Sequence, residues 1–283
     1  MIGTADGTRT ADPAADPNRC VPQYDGAMTE ARDPRAVAAA WRPQRAGRRP
    51  ARDIADAIVE PAWGGARVVA VVIPPDAAIV RDGEAAAVPD ELLGALAAAV
   101  LADAAVVEGH LTTEALRSGR GAFPEPERPP RPPLLIPQVV RRSVRDDPFI
   151  RQRELADDEA RRAAATLASV AEGERHAFVA TDLLWLDGQS LLGVPLLERR
   201  RILEGVLVES SLVRHTAYVR PTASATISGW RQLGFAEVVY KGTNSRYRPG
   251  EVNDDWAQVK LRGSSPATTG ALATASPPGG REA

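Results

Sequence analysis

Two apolar runs, RVVAVVI and AAIVRDG, are separated only by the turn Pro74-Pro75-Asp76. So short a connection joins antiparallel strands, because parallel neighbours need a long crossover. Downstream, PDELLGALAAAVLA carries an acidic first turn and predicts a helix, and AAVVEG predicts the next strand. From Phe178 the pattern tightens. FVATDLLWL reads as a strand, DG as a turn, PLLERRRILEGVLV as a helix and LVRHTAYV as a strand. TASATISGWRQLG then reads as a helix, and FAEVVYKG and WAQVKL as strands. Strands and helices interleave, but the hairpins exclude a purely parallel sheet, so the fold class is α+β.

The flanks differ in composition. Residues 1–50 are rich in Ala, Asp, Arg, Pro and Thr without apolar periodicity and read as a disordered leader. The stretch PEPERPPRPPLLIPQ marks residues 120–150 as a Pro/Arg-rich extended insertion, and the amphipathic RELADDEARRAAATLASVAEG follows it. Residues 263–283 have the composition of a flexible tail, which leaves 51–262 as the ordered domain. The 283 residues are 44% hydrophobic, enough for a substantial core. Only two of the 35 basic residues are lysines, Lys241 and Lys260, and the excess of arginine and alanine fits a GC-rich genome. A net charge of −2 does not mark a nucleic-acid binder by itself. The single cysteine, Cys20, excludes an internal disulfide framework or a multi-cysteine zinc site. His110, His176 and His215 lack metal-ligand spacing. No apolar run approaches the roughly 18 residues of a membrane helix, and the N-terminus lacks a signal-peptide core. The expectation is a cytoplasmic protein with no membrane partner.

Two segments carry a family resemblance. TDLLWLDGQSLLGVPLLERRRILE resembles the ATP-dependent DNA ligase segment Phe-Asp-Leu-Leu-x-Leu-Asp-Gly with its following Pro-Leu-x-Glu-Arg-Arg. FAEVVYKGTNSRYRPGEVNDDWAQVKL resembles the ligase Glu-Gly-Val-Val-x-Lys, Ser-x-Tyr-x-Pro-Gly and Trp-x-Lys-x-Lys series in order and spacing. Extended over residues 55–262, the resemblance implies a nucleotidyltransferase (adenylation) domain with two antiparallel sheets and flanking helices around a cleft. About twenty residues follow Lys260, too few for the OB-fold domain that accompanies it in ligases.

In that register EPAWGGAR aligns with the ligase nucleophile motif, usually Glu-Pro-Lys-x-Asp-Gly-x-Arg. Ala62 stands at the lysine that would attack ATP, and Gly64 at the aspartate. Alanine offers no lone pair. The spacing of WGGAR also lacks the length and lysine of a Walker-type phosphate loop. His110 in VVEGHL and Ala236 in FAEVVYK occupy positions where the resemblance places metal-binding carboxylates, and Thr181 replaces the aromatic that stacks on adenine. Strand parity puts Glu237 on the face of Lys241 as its expected partner. The resemblance implies ATP and Mg²⁺ for the family; these losses predict no catalytic residue, no metal and no cofactor here.

Arg67, Arg81, Lys241 and Lys260 match family positions that contact the nucleotide's ribose or phosphates. They are expected to converge with uncompensated positive charge and to favour an anion. The leading expectation is a non-catalytic ligase-like domain that takes a nucleotide, DNA or a DNA-repair protein. Two alternatives stay open: residual nucleotidyl transfer through an unrecognised nucleophile, and a scaffold whose PPRPP segment docks a partner. The charged runs RRSVRDD and LLERRR read mainly as solvated faces, with DNA phosphate as a further candidate.

Overall fold

A computed structural model describes residues 33–116 and 148–261. The first part of the chain runs α1 (Pro34–Ala40), β1 (Arg45–Ala46), β2 (Ala57–Pro61), β3 (Ala66–Ile73), β4 (Asp76–Arg81), β5 (Glu84–Ala85), α2 (Asp90–Ala99) and β6 (Ala105–Thr112). The second runs α3 (Pro148–Ala171), β7 (Ala177–Leu186), β8 (Gln189–Ser190), α4 (Leu196–Val206), β9 (Val213–His215), α5 (Ser224–Gln232), β10 (Glu237–Gly242), β11 (Val252–Asn253) and β12 (Trp256–Lys260). A seven-stranded sheet has the order β5-β4-β3-β6-β7-β8 with β9 beside β7, and a three-stranded sheet has the order β12-β10-β2. The α+β class holds. Two details differ from two purely antiparallel sheets: β1 and β11 make a third small sheet, and both this pair and β7–β9 are parallel.

Period-two alternation explains how the large sheet divides its faces. Along β3, Ala66, Val68, Ala70 and Val72 enter one core with Leu92 and Leu96 of α2 and Leu203 of α4. Val69 and Val71 face the opposite way, into a core with Trp41, Tyr247 and Trp256. In the small sheet, Val238 and Val259 pack on Trp230, while Lys241 and Lys260 of the same strands point to the other side. Parity therefore sends Arg67 of the large sheet and Lys241 and Lys260 of the small one into the space between them.

Residues 33–50 correct the expected disordered leader. Asp33 caps α1 by accepting the Arg35 amide at 3.0 Å, Pro34 fixes its first turn, and Val37, Ala38 and Trp41 are buried. The indole N–H of Trp41 donates to the Tyr247 hydroxyl at 2.9 Å, tying this segment to the C-terminal half. Residues 1–32, most of the Pro/Arg-rich insertion and the tail lie outside the described residues, and Pro148–Ile150 belong to α3.

The LLERRR run is also corrected. Leu196, Arg199, Arg200 and Leu203 follow the i, i+3, i+4, i+7 spacing of one helix face, and all four are buried. Arg199 binds Asp182 with two parallel bonds, Nε to Oδ1 at 2.8 Å and Nη2 to Oδ2 at 2.7 Å. Arg200 donates to the carbonyls of Thr181 at 3.0 Å and Thr216 at 2.6 Å. Only Arg201 of the three faces solvent, beside Glu198. Both buried arginines brace a bulge in β7: Glu108 pairs with Asp182 and Gly109 with Ala180, which leaves Thr181 as the extra residue. Among the described residues no helix is long and apolar enough to cross a membrane.

Candidate functional site

A cleft of about 770 Å³ lies between the two sheets, lined by Ala62, Arg67, His110, Thr181, Lys241 and Lys260 among others. The expected site residues thus largely meet, Ala236 included. Arg81 does not. It lines a second cavity of about 460 Å³ with Arg42, Arg45 and Pro249. There it donates to the Arg67 carbonyl and pairs with Asp82 at 3.2 Å.

Two of the three cations that meet, Arg67 and Lys241, are not uncompensated, which corrects that part of the expectation. The Arg67 guanidinium binds the buried Glu108 carboxylate. Burial works against the arginine's charge, but Glu108 outweighs it and the guanidinium pKa is raised. Lys241 is buried, and its Nζ stands 2.6 Å from Glu60 Oε2 and 4.4 Å from the centroid of the Trp256 ring. Arg200 approaches the same Glu60 carboxylate at 4.0 Å. Parity brings Glu237 and Lys241 to one lining, as the sequence predicts, yet Glu237 bonds to Gln258 instead of the lysine. Glu60 was invisible as a partner because it comes from β2, opposite β10 in a sheet that joins distant parts of the chain. Thr181 offers the cleft little, since its hydroxyl donates to the Glu108 carbonyl at 3.2 Å.

The glycine pair that opens the site has a structural explanation. Gly65 has φ +82°, and a Cβ there would sit 2.0 Å from the Leu111 carbonyl, so only glycine lets the chain pass β6. Gly64 donates its N–H to Glu114 Oε2 at 2.9 Å. That donor is therefore already used, unlike the free amides of a phosphate-cradling loop. Among the described residues no three His, Cys, Asp or Glu side chains converge as a metal site.

His110 stands opposite Arg67 in the β3–β6 register. Burial, with the charges of Arg67 and Lys241 adding to it, lowers the imidazole pKa to about 3. The unfolded chain then binds a proton below the ordinary value of about 6.5 that the folded protein refuses, so stability falls as pH falls. Between pH 6 and 5 this loss approaches about 1.4 kcal/mol per pH unit. His215 is lowered by burial as well and adds to the slope. Denaturant titrations across this range should show a shallower slope for His110→Asn than for the unaltered protein; identical slopes would show that the histidine is not held neutral.

Residues 144–260 match the sequence pattern of the ATP dependent DNA ligase domain. Over that span the chain resembles an ATP dependent DNA ligase domain. Thr181, Ala236, Lys241 and Lys260 fall inside the matched span of this ligase-like domain, whereas Ala62, Arg67, Arg81 and His110 precede it. Over 91 residues the chain is 34% identical to the multifunctional non-homologous end joining protein LigD of Mycolicibacterium smegmatis, covering 32% of this chain and 12% of that protein. Among solved structures, the ligase domain of M. tuberculosis LigD is 20% identical with a TM-score of 0.47, covering 78% of this chain and 60% of that one. A Lig E DNA ligase, described as binding DNA with a minimal scaffold, is 14% identical with a TM-score of 0.44, over 78% and 68% of the two chains. The chain thus spans a small part of the curated relative and about three fifths of the LigD ligase domain.

Proposed function

We propose that this ligase-like domain binds phosphate-bearing partners, DNA or a nucleotide, without transferring AMP. The observation that carries the reading is the disposition of the two lysines. Lys241 is held by Glu60 and Trp256, Lys260 is exposed at the cleft mouth, and Ala62 stands where the resemblance places the attacking amine. The residues present do not fit a bound ATP–Mg²⁺. Arg67 is engaged by Glu108, the Gly64 amide by Glu114, and among the described residues no carboxylate group is assembled for the cation. Phosphate binding falls to Lys260 and Arg162, both exposed on the cleft lining and without an ion-pair partner among the described residues. The LigD relative, named for non-homologous end joining, makes DNA repair the setting to test first.

Labelled ATP with Mg²⁺ should leave no covalent AMP on the protein, and stoichiometric labelling reversed by pyrophosphate would overturn the non-catalytic reading. For binding, fluorescence polarisation with nicked duplex DNA across a salt series would compare the protein with Lys260→Ala/Arg162→Ala. The variant should bind more weakly, with its log–log salt slope shallower by about 0.9 for each phosphate it no longer neutralises. Unchanged affinity and slope, or no binding of the unaltered protein at low salt, would remove the phosphate-binding part.

A further inference from the structure

Gly64 and Glu114 meet at one point in the cleft wall. Glu114 begins the turn that follows β6, and its own amide donates to Thr112 Oγ1 at 3.1 Å, which orients the turn toward the Ala62–Gly65 segment. Its Oε2 takes the Gly64 N–H at 2.9 Å. Its Oε1 lies 2.6 Å from where a Cβ on residue 64 would begin. Gly64 is not in the left-handed region, so nothing in its own backbone conformation demands glycine. What demands it is the carboxylate reaching in from the β6 side.

We propose that Glu114 replaces the side chain that residue 64 lacks. Its carboxylate fills that volume and pins the backbone of the turn, so Gly64 and Glu114 form an interdependent pair and Glu114 is the positioning residue of this cleft wall. The substitution at position 64 is then a rewiring of the segment. Restoring an aspartate there requires Glu114 to be removed as well, because two carboxylates would otherwise contend for one space without a cation between them.

The pair predicts a reversal of sign. Gly64→Ala in the unaltered protein forces Glu114 to swing out and give up its bond to the amide. The melting temperature should drop by about 2–4 °C, as expected for a weakened hydrogen bond in a chain of this size. In a Glu114→Ala background the same change meets no other atom closer than 3.5 Å and mainly restricts the unfolded chain, so it should raise the melting temperature by about 1–3 °C. A spectroscopic signature accompanies it. The Gly64 amide resonance should move as carboxylates are titrated and stop moving in Glu114→Gln, which keeps the shape and removes the charge. Gly64→Ala effects of the same sign in both backgrounds, or an amide titration that persists in Glu114→Gln, would overturn the proposal. Should Glu114→Ala fail to fold, the Glu114→Gln comparison alone decides.

Discussion

Asp182→Ala should cost the protein about 3–5 kcal/mol, measured by urea unfolding, because it strands a buried guanidinium. Arg199 and Asp182 are both fully buried, and their paired bonds balance the charge at that point in the core. Asp182 also accepts the Leu183 amide at 2.9 Å, so its loss leaves a backbone donor unmet next to the bulge that places Thr181. Replacing both members together, Asp182→Leu with Arg199→Met, should cost less than the single change, since two desolvated charges leave at once. A single variant as stable as the unaltered protein would mean that the LLERRR helix presents its arginines to solvent after all.

Trp41→Ala should cost about 3–5 kcal/mol, a loss of the size expected when a fully buried aromatic is cut back to a methyl group. The indole is entirely covered, packs in the core shared with Val69, Val106 and Trp185, and donates to Tyr247. Removing it leaves the buried Tyr247 hydroxyl without that donor, and burial already pushes the phenol well above its ordinary pKa. A disordered leader would contribute nothing, so a change within about 0.5 kcal/mol would restore the sequence-based boundary at residue 50.

The strands were legible because most are short apolar runs bounded by turn residues: β3, β6, β7 and β10 lie where VVAVVI, AAVVEG, FVATDLLWL and FAEVVYKG predict them. LVRHTAYV was not, since only Val213–His215 pair along β7 and Val219 makes an isolated bridge to Val59. The helix Pro34–Ala40 carried a readable signal, an Asp-Pro start with Val37, Ala38 and Trp41 on one face, but alanine-rich flanks masked it. Arg199 and Arg200 were equally readable from their spacing with Leu196 and Leu203; arginine is so seldom buried that composition overruled periodicity. The pairings of Lys241 with Glu60 and of Gly64 with Glu114 had no local signal, because each joins strands or turns whose meeting depends on the completed sheets. Arg81 shows the same limit from the other side: a matching motif position gave the residue type and not the direction of its side chain.

The unequal burial of the two lysines also makes the molecule chemically addressable. Lys241 is sealed between Glu60 and Trp256, whereas the Lys260 ammonium stands in water at the edge of the cleft. An amine-directed dye or crosslinker applied to the folded protein would find a single lysine side chain, so that every label not on the α-amine reports from one known place at that edge.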